Sequence, residues 1–467
     1  MRRAMPSGAD PWVRSARSAM RPALRRAVRR AARIAARIAV VVVPVTGAAP
    51  VGPAAPVGPA MAVAAGPASS QRTSSQRVSS PGALGASGVL LAVSCSSGGD
   101  CVSTGYDAPS ATGSLVASGD GGASWESEAF PSGASVLHGV DCMATSCVAV
   151  GSDEDMSGGV AALSTTSGGS SGSPALGVAW SVHPMPAGVG GLSSVSCAAG
   201  SCYAVGKATS GGPALVESVD GGESWQQVAA PPSLSSTSGL RSVDCPTSSW
   251  CLIGGSPETA GAGPGVAVTD DGGASWSAAS GPSPGGPVYS LSCFSSTGCV
   301  AVGGPAVVGA GNLPGGGIQE DGAAFALYSS DGGASWAAGS LPSGVASLAS
   351  VSCAGNGTGT GTGNGTGSGT CVAVGEMPDG SGSILLTTNG GASWSYESAP
   401  YGTGPLWSVS CYSSSACVAA GADTAGAGAD AVVTDDGGRS GRPTTPSGSR
   451  RSRRYASATP GSATLLG

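Results

Sequence analysis

An all-β fold, a seven-bladed β-propeller of four-stranded blades, is what this 467-residue sequence predicts. Three observations carry the prediction. One phrase of sequence recurs seven times from residue 88 onward: a short strand ending in Cys, a second Cys opening another strand, then a Gly-rich turn followed by Trp. The first cysteines of successive phrases stand 47 to 60 residues apart, the length of one propeller blade with loop insertions making up the excess. Composition agrees, because 81 Gly, 33 Pro and only 10% charged residues describe many turns and small side chains, which suit short strands and not helices.

The first half of the phrase is exemplified by LSSVSCAAGSCYAVG, LRSVDCPTSSWCLIGG and LWSVSCYSSSACVAAG. Its cysteines pair as Cys95 with Cys101, Cys142 with Cys147, Cys197 with Cys202, Cys245 with Cys251, Cys293 with Cys299, Cys353 with Cys371, and Cys411 with Cys417, which uses all 14. An even count at repeated spacing behind an export signal predicts seven local disulfides. Zinc is disfavoured, since its sites combine closely spaced Cys with His or further Cys and the chain has only His138 and His183. Both histidines are expected in packing or surface roles.

The second half reads SGDGGASW, SVDGGESW, TDDGGASW, SSDGGASW and TTNGGASW, with Asp120 and Trp125, Asp220 and Trp225, Asp271 and Trp276, Asp331 and Trp336, and Asn389 and Trp394 as its fixed members. Two copies are degraded. In the second repeat Ser167 stands where Asp is due and Trp180 is the displaced Trp; in the seventh, Asp436 is present but Gly441 occupies the Trp position. An Asp or Asn side chain folds onto nearby backbone N–H groups, the paired glycines accept positive φ, and Trp supplies apolar area that Ala, Ser and Gly cannot. This pattern resembles the Asp-box, or bacterial neuraminidase repeat, of sialidases, some endo-acting glycoside hydrolases and the photosystem II assembly-factor family. Here Gly follows Asp directly and Ser mostly stands for Thr. The resemblance covers residues 88 to 441 and implies a closed propeller over a solenoid; it implies little about function, because the box lies in a structural hairpin remote from those enzymes' active sites.

Each unit therefore reads as strands a (ending at the first Cys), b (beginning at the second), c (before the box) and d (starting at Trp). The disulfides and boxes are expected on one face, and the variable b-to-c loops on the other. Those loops carry Asp107, Asp153, Glu154, Asp155, Glu258, Glu320, Asp321, Glu376, Asp379 and Asp423, which form the candidate binding surface for a basic partner. Asp153-Glu154-Asp155 offers oxygen ligands of the kind Ca2+ takes, without an EF-hand pattern. The simpler use of these acids is solubility in a chain with one lysine.

Charge is unevenly placed. Residues 81 to 438 contain 26 Asp and Glu against Lys207 and Arg241 alone, so the body repels nucleic acid. Eleven of the 20 arginines precede residue 40, ahead of an apolar run from Ile38 to Val45 and small-residue stretches around Ala62. This reads as a signal peptide over 1–65, with Met20 as the expected true start, followed by a Pro/Ser-rich linker over 66–87. The prolines from Pro44 to Pro59 argue against a spanning helix, so membrane attachment is expected only if this segment stays uncleaved. Secretion or a place in the cell envelope follows. Six further arginines lie between 439 and 454, starting where the seventh repeat stops making sense. A reading-frame shift or a freely diverged tail explains that break, a basic tail for an anionic polymer being the alternative. The tail, 442–467, is expected to be disordered, and the seventh blade to be incomplete unless residues 71 to 87 supply a substitute strand.

Catalysis is the less favoured function. Members of the sialidase family hold their substrate carboxylate with three arginines, and the propeller region has only Arg241. A glycoside hydrolase with paired carboxylates remains the alternative, although aromatic platforms outside the boxes are few: Trp250, Trp407, Tyr106, Tyr289 and Tyr401. The expectation is an exported, non-catalytic module that binds an envelope or extracellular protein or glycan, with no catalytic residues, cofactor or resident metal assigned.

Overall fold

The computed structural model describes residues 76–78, 88–107, 112–165, 179–234, 239–255, 263–305, 307–308, 317–318, 323–354, 369–424 and 428–437. The signal-peptide, Ser167 and basic-tail expectations lie outside these residues. The chain forms seven four-stranded antiparallel sheets, the blades of a propeller, and each is a meander from strand a outward to strand d. Blade 1 comprises Gly88–Cys95, Cys101–Asp107, Thr112–Ser118 and Glu126–Ser127; blade 2 comprises Ala134–Cys142, Cys147–Asp153, Gly159–Thr165 and Ala179–Pro184. The a strands of blades 3 to 6 are Val189–Ala198, Leu240–Asp244, Val288–Cys293 and Ser347–Cys353. Blade 7 contains Thr403–Cys411, Cys417–Asp423 and Ala429–Thr434. The a strand of each blade lies against that of the next, and blade 7 lies against blade 1 in the same way, so the a strands form the inner wall of a closed ring.

The b strands are buried along their length, as in Cys299–Gly303 with its sequence CVAVG. A blade's middle strands face a neighbouring blade on both sides, which is why these segments read as continuous apolar runs and not as alternation. Apolar clusters fill the junctions between successive blades. Trp125, Trp180, Trp225, Trp276, Trp336 and Trp394 each join the cluster between their own blade and the preceding one. The junction of blades 6 and 7 is filled by aliphatic side chains that include Ile384, Leu386 and Leu406.

The box turns fold as their residues dictate. In blade 1 the Ser118 hydroxyl donates to Asp120 Oδ1 at 2.8 Å and accepts from Gly122 N at 2.9 Å, while Asp120 accepts from Ser124 N at 2.8 Å. Gly121 and Gly122 have φ of 72° and 85°, the left-handed region the turn needs. The same network recurs around Asp220, Asp271, Asp331 and Asn389, and Asp436 keeps the bond from Thr434 Oγ1 at 2.6 Å. Each first box glycine donates to a carbonyl of the a-to-b loop, as Gly121 N does to Gly99 O at 2.9 Å, so boxes and disulfides share one face as expected. All seven predicted disulfides are formed, with no free cysteine. Blade 2, which lacks the box, has instead a six-residue strand d in which Trp180 sits opposite Ser164.

The seventh blade is not incomplete. Gln76–Val78 pairs antiparallel with Ala429–Thr434, in the register Gln76 with Val433 and Val78 with Ala431, and occupies the outer position. The supposed linker therefore holds the strand that closes the ring. The reason is the one that made the gap costly: an uncovered strand c would leave a row of backbone donors and acceptors unpaired.

Candidate functional site

The inner wall is written by the six residues ending at the first Cys of each repeat. Counting back from it, the immediately preceding residue is Ser94, Asp141, Ser196, Asp244, Ser292, Ser352 or Ser410. In every blade this side chain accepts the N–H of the next blade's Cys: Ser94 from Cys142 at 2.9 Å, Asp141 from Cys197 at 2.7 Å, Ser196 from Cys245 at 3.0 Å, Asp244 from Cys293 at 2.8 Å. The same bond continues from Ser292 to Cys353, from Ser352 to Cys411 and from Ser410 back to Cys95. Two residues earlier, Ser194, Ser242, Ser290, Ser350 and Ser408 make a second set of such bonds. Blade 2 has Gly139 there, because a Cβ would come within 2.9 Å of the Ser194 backbone. The seven blades are thus stitched side chain to main chain around the full circle, a role the sequence alone did not reveal.

Four residues before each Cys the ladder slips. Leu90 pairs with Gly105 and Ala92 with Thr104, which leaves Leu91 bulged. His138, Ser193, Arg241, Tyr289, Ala349 and Trp407 are bulged at the equivalent point of the other blades. The residue before the bulge is always a buried Leu or Val in an interblade core. Its partner on strand b is always glycine: an added Cβ would lie 1.9 to 2.1 Å from a carbonyl oxygen in or just before strand a at Gly105, Gly151, Gly303, Gly375 and Gly421, 2.3 Å from one at Gly206 and 3.1 Å from one at Gly255. A bulge re-aims its side chain. The bulged residues lie on the innermost strands, and all seven are partly exposed. Tyr289 donates to Pro305 O at 3.1 Å, just past strand b of its blade, which sets the ring toward the b-to-c end of the channel.

The flanking residues of this strand repeat; the bulged residue varies. Around the ring it reads Ala349, Trp407 and Leu91 on blades 6, 7 and 1, then His138, Ser193, Arg241 and Tyr289 on blades 2 to 5. One arc is apolar and the other polar. Burial and the Arg241 charge hold the His138 imidazole down at about 4, so it is neutral at neutral pH. Deeper in the channel, burial pushes Asp141 up to about 6, against the bonds it accepts from Cys197 and Cys142 N–H. Asp244 is pushed up to about 7 by burial, opposed by the Cys293 N–H and assisted by the Asp141 charge. Both are partly open to the lumen, yet protein surrounds them closely enough for desolvation to dominate.

The acidic loop residues are placed otherwise. Asp107, Asp153 and Asp423 end the b strands of blades 1, 2 and 7, and Glu376 ends Cys371–Glu376 in blade 6. Asp153 accepts from Ser157 N at 2.8 Å and Asp379 from Ser381 N at 3.0 Å, so both shape their own turns. Glu154 and Asp155 are exposed, whereas Glu258, Glu320 and Asp321 lie outside the described residues. Among the described residues no three acidic, His or Cys side chains gather as a cation site, including at Asp153-Glu154-Asp155. His183 sits in the outer strand of blade 2 beside Ser181, at 3.0 Å from its hydroxyl. His138, expected in a packing or surface role, stands half-buried at the bulge of blade 2. Sequence reasoning passed over it and its ring partners because a bulge is invisible until strands a and b are aligned; the signal present was the constant Gly four residues after each second Cys.

No known family matches the sequence, and no curated protein is similar to it. Among solved structures the chain is similar to a GH74 xyloglucanase from Xanthomonas campestris, with 13% identity and a TM-score of 0.49 over 78% of this chain and 54% of the enzyme. The chain spans about half the length of that enzyme.

Proposed function

We propose that this protein is an exported, non-catalytic propeller that binds a protein or glycan outside the cytoplasm. The observation that carries this reading is the ring of bulged residues: in seven otherwise repetitive inner strands, the position that varies most is the partly exposed bulge, which carries Leu, His, Ser, Arg, Tyr, Ala or Trp and no carboxylate. Seven disulfides support an oxidising compartment, and no helix among the described residues is long and apolar enough to cross a membrane. The acidic rim over the b-to-c loops favours basic partners at that face.

Glycoside hydrolysis is the second reading, and Asp141 with Asp244 is its best carboxylate pair, because both face the channel and titrate high. Each, however, accepts a main-chain N–H in the position that Ser fills in the other five blades. The test is to present the full chain at low salt to immobilised glycans and envelope proteins while assaying the glycans for cleavage. Retention without turnover is expected. Turnover that disappears in Asp141→Asn or Asp244→Asn would replace the binding reading with hydrolysis.

A further inference from the structure

We propose that the outer place in blade 7 is a strand-exchange site, at which two copies of this chain swap Gln76–Val78 and so pair. In the other six blades strand d follows strand c along the chain, so it cannot leave its blade without tearing the hairpin that joins them. Each of those strands also begins at or beside a Trp held in an interblade cluster. Gln76–Val78 has neither tie. Along the chain it leads into strand a of blade 1, its sequence Gln-Arg-Val carries no Trp, and no disulfide reaches it, since all 14 cysteines pair elsewhere. It meets blade 7 through the backbone pairing of three residues with Val433, Val432 and Ala431.

The ring stays closed without this strand. Ser408 Oγ accepts from Val93 N at 3.0 Å and Ser410 Oγ from Cys95 N at 3.1 Å, while Leu90, Val93 and Val116 of blade 1 pack with Val418, Ala420 and Ala431 of blade 7. Release of Gln76–Val78 therefore leaves seven blades standing and bares one edge, the backbone donors and acceptors of Ala429–Thr434. The same segment of a second copy fits that edge in the same register, because it is the same sequence. Exchange makes the contacts that it breaks, so concentration decides the outcome. The nine residues 79–87 between Val78 and Gly88 reach at most about 30 Å, which brings two copies together seam to seam, each lending its strand to the other. A reciprocal swap of this kind closes as a two-fold pair and not as a fibre. A short tether keeps its own strand at an effective concentration on the order of millimolar, so the single chain prevails in dilute solution and the exchanged pair gains as protein concentration approaches that range. Exchange needs no ligand, so a failure to capture glycans or envelope proteins leaves it untouched.

The test uses two single variants of the full chain, Gln76→Cys and Val433→Cys, whose positions are directly opposed in the register. When the two are mixed and oxidised, a disulfide between positions 76 and 433 joins different chains only where the strand of one copy lies on the edge of the other. Non-reducing peptide mapping should find that link, with a yield that rises about tenfold or more between about 10 µM and about 1 mM total protein. The double variant, oxidised at about 10 µM, should close the link within one chain, which checks the register in the folded protein. Val78→Cys with Ala431→Cys, also opposed, repeats the test should either variant misfold. Absence of the mixed link at every concentration, a yield indifferent to concentration, or no link within the double variants overturns the assignment. So does a pair on gel filtration in which every such link of the double variant stays inside its own chain, because that is association without exchange.

Discussion

A methyl group added at Gly151 would lie 1.9 Å from the Val136 carbonyl oxygen, with no flexible side chain in the way to yield. Gly151→Ala must therefore flatten the bulge at His138 or push the two strands apart. A loss of several kcal/mol in denaturant unfolding is expected, well beyond the ~1 kcal/mol of an ordinary strand-glycine substitution. Ser352→Ala removes a single bond to Cys411 N and should cost about 1 kcal/mol, because a half-buried N–H is left without its acceptor. Comparable losses for the two would show that the bulge is not specified by its glycine.

At the scale of the element, the box hairpin and the disulfide hairpin make separate predictions. The Ser224 hydroxyl and N–H, with Ser218, hold Asp220 down at about 2, below its ordinary value near 4. The fold therefore gains stability from this carboxylate above about pH 4 and loses it as pH falls toward 2. Asp220→Ala should lower the melting temperature at pH 7 and leave it nearly unchanged at pH 2, so a plot of the difference against pH falls through that window. The seven disulfides should be recovered as local pairs by non-reducing peptide mapping. Replacing Cys353 and Cys371, 18 residues apart, should cost about 3 kcal/mol and replacing Cys95 and Cys101, 6 apart, about 2 kcal/mol, as loop closure dictates.

For the whole molecule, closure and channel electrostatics are the properties to test. A chain that begins at residue 80 lacks the outer strand of blade 7 and exposes Ala429–Thr434. It should melt lower than a chain beginning at residue 71 and associate edge to edge, which light scattering would detect. Asp244 titrates at about 7, above its ordinary value near 4, so the folded state holds more protons than the unfolded one between those values and stability falls as pH rises through them. Asp244→Ser keeps an acceptor for Cys293 and removes the charge. The variant should gain stability over the parent at pH 8 and match it at pH 4; a constant difference at both would show that the channel carboxylate is not the cause.

The repeat, the number of blades, the disulfide partners and the shared face of boxes and disulfides were legible in the sequence, because each depends on residues close together in the chain. A Cys pair closes a hairpin, an Asp binds N–H groups four residues on, and a Trp fills the nearest junction. The closing strand was legible only as a conditional, since nothing local in Gln76–Val78 says that its partner lies some 355 residues away at Val433. The channel ring and the Ser/Asp stitching were not read from the sequence. A bulge exists only relative to the strand it slips against, and the acceptor for each Cys N–H comes from a different blade 48 to 61 residues away, or 315 across the closure. Short-range chemistry thus determined what each blade is, whereas only closure of the ring decided which side chains look into the lumen together.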